Sequence, residues 1–360
     1  MDATSTPPLV ECVPNFSEGR DADVLHAIAE AVASVPEVYL LHRDSGRGAN
    51  RTVFTFVGPP EGVVEAAYRA IEAAVARIDM REHMGTHPRM GACDVCPLIP
   101  VAGVSMEAVV SLARQLAERV GRFLEVPVFL YERSATVPRR RNLASIRRGS
   151  YEGMAEKMQR PEWTPDYGPK QFNSRSGATA IGARPFLVAY NVNLDTLEVD
   201  AAQAIAERVR TRGSKVVGPD GTQKHHPGLL PGVKAIGWFI EDFGQAQVSM
   251  NLVDIDTTGL HQAYEAVRRE AENMGLPVTG SELVGLIPER VLVEAGRYFT
   301  GTPAGQPLEA ETRTRLMQRA VAHLGLDQHH PFELDRRVLE RAYVRALEGG
   351  TRHSLPHFPE

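Results

Sequence analysis

Residues 185–194 read "PFLVAYNVNL", and whether they continue what precedes them or begin it again decides the fold. The run reads as a strand. Downstream come a helix over 200–211, strands in "VKAIGWFI" (233–240) and "AQVSMNLVD" (246–254), a helix over 260–274, and a strand in "LPVTGSELVG" (276–285). The first half has the same order. "LVECVPNFSEG" (9–19) is a strand, and residues 21–35 place Val24, Leu25, Ile28, Ala29 and Val32 on one helical face. "VYLLHRDSG" (38–46) and "RTVFTFVG" (51–58) are strands, residues 61–78 a helix with Val64, Ala67, Ile71, Ala74 and Val75 inward, and "DVCPLIPV" (94–101) a strand. A helix over 105–122 and a strand in "VPVFLYE" (126–132) follow.

The pattern predicts an α/β (α+β) chain of two ferredoxin-like subdomains, each a sheet with helices on one face. Each sheet then keeps a bare face, and a junction of two such faces is where a ligand is enclosed. Residues 133–186 lose apolar periodicity and gain proline, glycine and arginine, so they read as surface loops with short helices at the domain boundary. The expected division is 1–183, 184–305, and a helical tail over 306–360. A chain of 360 residues is long enough for two cores.

Composition narrows the function. A net charge of -5 argues against a nucleic-acid binder, and "PRRRNLASIRR" (138–148) lacks interleaved aromatics. No stretch approaches a membrane span, and "MDATSTPPLV" does not resemble a secretion signal. The cysteines, Cys12, Cys93 and Cys96, are too few to staple the chain, so a cytoplasmic location is expected. As positions three apart on a strand, Cys93 and Cys96 should face opposite ways and hold no metal.

"GTHPRMG" (85–91) is the most suggestive segment. Gly85 and Gly91 bracket His87, and Pro88 biases it toward an extended backbone, which aims the imidazole from a stiffened loop. Histidine exchanges a proton near neutral pH, as general acid and base catalysis requires; a hydrogen-bonded surface histidine is the plainer alternative. Asp44 in "DSG" is placed either to form a turn or to pair with a histidine. Asn15, Ser17 and Glu18 stand before a helix whose free amides suit a carboxylate, or they simply cap it. "YGPKQFNSRSGATAIGARP" (167–185) reads as a mobile loop unless a ligand orders it, and "GSKVVGPDGTQKHHPGLLPG" (213–232) as a long exposed loop whose His225 and His226 are weak metal candidates.

In order along the chain, "VECVPNFSEGR", "DSGRGANRTVFTFVG", "GTHPRMGACDVCPLIPV", "GATAIGARPFLVAYNVNL" and "LVGLIPE" resemble the formiminotransferase family. The resemblance implies two α/β subdomains with sheets stacked inside and helices outside, a tunnel for folate, and a homodimer. It implies transfer of a formimino group from N-formimino-L-glutamate to tetrahydrofolate during histidine breakdown, with tetrahydrofolate as co-substrate and no metal. Catalysis then falls to His87 with Asp44 orienting its ring. Folate contact falls to Gly168, Pro169, Lys170, Gln171, Phe172, Asn173, Ser174, Arg175, Ser176 and Gly177. Chemistry alone adds Arg89 and the amides near Asn15 as substrate-carboxylate ligands. Animal relatives continue into a cyclodeaminase, so this chain's product would be released or passed to a separate cyclodeaminase. Competing readings are a folate-dependent formyltransferase acting between N-formylglutamate and 5-formyltetrahydrofolate, and a non-catalytic folate-binding protein; neither a nucleic acid nor a membrane is an expected partner. The sequence departs from the family at Cys93, commonly aliphatic, and in a longer loop around Thr222 to Leu230.

Overall fold

A computed structural model describes residues 7–217, 222–241 and 243–349. The ends of the chain and the centre of the 213–232 loop, for which readings were made above, lie outside these residues. The chain divides into two compact units, one reaching Pro185 and the other spanning Phe186–Val344.

In the first unit, β1 (Leu9–Cys12) and β2 (Asn15–Phe16) form one line broken at Pro14, followed by α1 (Ala22–Ala33), β3 (Tyr39–Gly46), β4 (Arg51–Gly58), α2 (Pro60–Arg77), β5 (Cys93–Ala102) and α3 (Met106–Phe123). After β6 (Val128–Leu130) come the short helices α4 (Leu143–Arg147) and α5 (Ser150–Met158), then β7 (Thr179–Ala183). The helices begin where local chemistry starts them. The Asp21 carboxylate accepts from the amides of Asp23 and Val24, Pro60 opens α2, and Ser105 accepts from the Ala108 amide. Strand order is β3, β4, the β1/β2 line, β5, β7, β6, antiparallel as far as β5 and parallel beyond it. The first four positions are the ferredoxin-like order that the sequence predicts, and β7 and β6 extend it.

One face of this sheet packs Cys12, Phe16, Phe54, Phe56 and Leu98 against Leu25, Ile28, Val64, Ile71 and Leu116 of α1, α2 and α3. The other face is not bare, as expected, but half covered. Val95, Phe129 and Ala180 pack against Ile146 of α4 and Met154 and Met158 of α5. Helices this short carry too few apolar positions for their period to register in sequence, so the short helices expected within 133–186 could not be assigned to this face. A bulge in β5 further revises the strand reading. Asn15 pairs with Val95 but Phe16 with Cys93, leaving Asp94 as an extra residue. The extra residue resets the alternation, so Cys93 and Cys96 enter the same core instead of facing opposite ways. Cys96 Sγ lies 3.5 Å from Cys12 Sγ, and all of these thiols are buried and free.

The second unit begins with β8 (Val188–Leu194), α6 (Val199–Val209), β9 (Ser214–Val217), β10 (Gln223–His226), β11 (Val233–Ile240) and β12 (Gln245–Leu252). It continues through α7 (Leu260–Asn273), β13 (Val278–Val284), α8 (Glu289–Thr300), α9 (Ala310–Leu324), α10 (Leu334–Arg337) and α11 (Leu339–Glu348). Its sheet order, β11, β12, β8, β13, repeats the ferredoxin-like arrangement. The 213–232 stretch, read as loop, forms the antiparallel pair β9 and β10, with His225 and His226 exposed. Leu316, Met317, Ala320 and Leu324 of α9 enter the same core as β8 and α7, so this part of the expected tail belongs to the second subdomain. Among the described residues no helix is long and apolar enough to cross a membrane.

Candidate active site

Directly paired residues in a sheet put their side chains on the same face. Asp44 pairs with Val53, Val53 with Asn15, and Asn15 with Val95, so Asp44 and Asn15 occupy one row of the first sheet. It is the row's Val95 that joins the cluster under α4 and α5, which identifies the face as the one opposite α1, α2 and α3. Arg51 stands two residues before Val53 on β4 and so projects from that same face.

The "GTHPRMG" loop is fastened near this row from several directions. The Asn50 side chain accepts from the Gly19 amide and donates to the Met84 carbonyl, both at 2.9 Å. His83 Nε2 donates to the Asn50 carbonyl at 2.9 Å. A methyl group on Gly85 would stand 2.2 Å from the Ala49 carbonyl oxygen, so only glycine permits this approach. The loop ends at Met90, whose amide donates to the bulged Asp94 carboxylate at 3.1 Å.

His87 is half-buried. Its Nδ1 lies 2.7 Å from the Pro88 carbonyl and its Nε2 meets Arg51 Nη1. A carbonyl only accepts and a guanidinium only donates, so the ring is the neutral tautomer with hydrogen on Nδ1 and a lone pair on Nε2. Burial, then the charges of Arg51 and Arg147, push its pKa down to about 2. Arg51 is pushed down to about 10, by burial first and then by Arg147, while Asp94 and Asp44 act in the opposite sense. His87 is thus a base whose acceptor nitrogen is covered by a cation.

Asp44 was expected to orient the ring, but the ring nitrogens take Pro88 and Arg51. The Asp44 carboxylate lies 3.8 Å from His42 Nε2 and acts on Arg51 through its charge. Arg89, expected to bind substrate, is buried and committed: it makes a two-point pair with Glu152 at 2.7 and 2.9 Å and also contacts His83. Asn15 donates to the Val13 carbonyl at 2.9 Å. The amides of Gly19, Arg20 and Asp21 are satisfied by the Glu18 carboxylate, so the helix start is closed by its own chain. The 168–177 segment is tied down without a ligand. The Asn173 side chain accepts from the amides of Arg175 and Ser176, the Met80 amide donates to the Arg175 carbonyl, and Tyr151 donates to the Ser174 carbonyl. Gly168, Lys170, Gln171, Ser174 and Arg175 are exposed, Pro169, Phe172 and Asn173 partly so, and Ser176 and Gly177 are buried. Among the described residues no group of His, Cys, Asp and Glu converges as a metal site.

The formiminotransferase N-terminal subdomain model matches residues 9–184, and the formiminotransferase domain model matches 189–344. The chain belongs to the formiminotransferase family. It is 43% identical to glutamate formimidoyltransferase of Streptococcus pyogenes serotype M1, over 81% of this chain and 93% of that one. It is 42% identical to the protein of the same name from Thermoplasma acidophilum, over 87% and 98%. Against formimidoyltransferase-cyclodeaminase of Rattus norvegicus the identity is 47% over 92% of this chain, which spans 59% of that relative's length.

Sequence reasoning missed Arg51, Asp94 and Arg147. Arg51 opens an apolar strand, and Asp94 is a carboxylate inside the apolar run "ACDVCPLIPV". A charge in such a run is the signal, since a buried carboxylate needs a partner. Arg147 lay in the arginine-rich stretch weighed above for nucleic acid; it contacts Asp94 at 2.6 Å.

Proposed function

We propose that this chain transfers the formimino group of N-formimino-L-glutamate to tetrahydrofolate, yielding 5-formiminotetrahydrofolate and L-glutamate in histidine degradation. The observation that carries the reading is family membership at 42 to 43% identity to relatives named glutamate formimidoyltransferase, nearly all of whose length is matched. The neutral His87, with a lone pair on Nε2, supports the role of acid and base.

The secondary amine of tetrahydrofolate attacks the formimino carbon, forming a carbon–nitrogen bond. Its proton passes to His87 Nε2. The bond from that carbon to the glutamate nitrogen then breaks, and the proton on Nε2 moves to the departing nitrogen, which restores the neutral ring. Asp44 acts on the ring through Arg51, and residues 168–177 contact the folate. The enzyme works as a cytoplasmic homodimer without a metal.

The test is to mix purified protein with tetrahydrofolate and either formiminoglutamate or formylglutamate and weigh the folate product. A formimino adduct is expected; a formyl adduct alone would reassign the donor, and folate binding without any adduct would make the chain a binding protein. His87→Asn should keep folate binding while turnover falls on the order of 10²- to 10⁴-fold.

A further inference from the structure

Arg51 is an unusual neighbour for a catalytic base. A cation held against Nε2 withholds the lone pair that proton abstraction needs. Its other partners are incomplete: Arg51 Nε is buried with no hydrogen-bond partner among the described residues, and Nη1 is spent on a neutral ring that carries no charge. Of the surrounding charged groups, Asp94 is held in two places by Arg147, and Asp44 lies against His42. The edge formed by Nε and an adjacent Nη is the fork that guanidinium uses to take a carboxylate at two points. A carboxylate that takes hold of this guanidinium competes with His87 for it, and an anion is a stronger partner than a neutral ring.

We propose that Arg51 is a carboxylate-operated cover on His87: a substrate carboxylate draws the guanidinium away and exposes the Nε2 lone pair only when substrate is present. The inference rests on the formimino-transfer reading and extends it, since both the amino-acid donor and the glutamyl tail of folate carry carboxylates. Removing the cation and neutralising its charge both favour protonation of the ring, so the base strengthens as it is uncovered. Arg51 thereby makes proton transfer conditional on binding.

The experiment follows the His87 imidazole by nitrogen-15 NMR in the full chain, its signals assigned by their loss in His87→Gln. Without ligand the ring should stay neutral, with hydrogen on Nδ1, through pH 5. Excess L-glutamate should raise its titration midpoint by two pH units or more; a rise with 5-formyltetrahydrofolate alone would assign the carboxylate to the folate tail. In Arg51→Gln the ring should titrate above the ligand-free wild type and respond to neither, with KM for the amino-acid donor raised about tenfold. A wild-type midpoint unmoved by glutamate and by folate overturns the proposal, whatever the variant does. The ring's response is read without turnover, so a protein that responds but transfers no formimino group would fail the functional reading and leave this one standing.

Discussion

Asp94 and Arg147 form a two-point ion pair, with Arg147 Nη2 2.6 Å from Asp94 Oδ2 and Nε 3.3 Å from Oδ1. Asp94 is 1% exposed and is the residue that bulges out of β5. Its carboxylate also receives the Met90 amide, so one side chain fixes both the end of the histidine loop and the end of α4.

Asp94→Ala should therefore be among the most damaging single changes. It strands a largely buried guanidinium and an amide together, a loss of about 3 to 5 kcal/mol by the usual cost of breaking a buried pair. Urea denaturation measures it, and a loss below about 1 kcal/mol would mean water replaces the carboxylate freely.

Gly177 should tolerate no side chain. Its φ of +71° favours glycine, and a Cβ there would stand 2.2 Å from the Met90 carbonyl oxygen. Gly177→Ala should lower the melting temperature and detach the end of the 168–177 segment from the histidine loop. An unchanged melting curve would contradict this placement.

Stability should fall on the acid side of neutrality. The folded pKa of His87 is lowered from 6.5 to about 2, so between these values the unfolded chain binds the extra proton and is favoured as pH drops. The contribution is constant above about pH 6.5, the ordinary histidine value, and declines below it. Urea midpoints at pH 7.5 and pH 5 should differ more in the wild type than in His87→Gln; equal differences would show that other groups dominate.

Arg89→Met should act on stability more than on substrate affinity. The guanidinium already serves Glu152 and His83, and its loss should cost about 2 kcal/mol, the range for charged hydrogen bonds. KM for the amino-acid donor should change less than it does in Arg51→Gln. A large rise in KM with an unchanged melting temperature would return Arg89 to the role expected from sequence.

Periodic segments were the legible ones. The helices near residues 22–33, 60–77, 106–123, 199–209 and 260–273 agree with the expected spans to within a few residues, because long amphipathic faces report their own burial. The short helices α4 and α5 lie where short helices among loops were expected, though without bounds, and α8 was missed. Helices as short as the first two give no period from which to place their ends, and α8 follows a segment that reads as strand and turn. At the site, Gly85, His87 and Gly91 stood out since backbone restriction is written in residue type. Arg51 did not, because an arginine at a strand end is ordinarily solvated.

What the sequence determined by itself is the repeated order of strands and helices and the loop that fences His87, both consequences of side-chain period and of glycine and proline stereochemistry. What only tertiary structure decided is the company His87 keeps. Its partner Arg51 lies 36 residues away, and Arg147 reaches Asp94 across 53. Such meetings depend on sheet register and on a one-residue bulge, and register is set by the pairing of distant strands rather than by the residues that benefit from it.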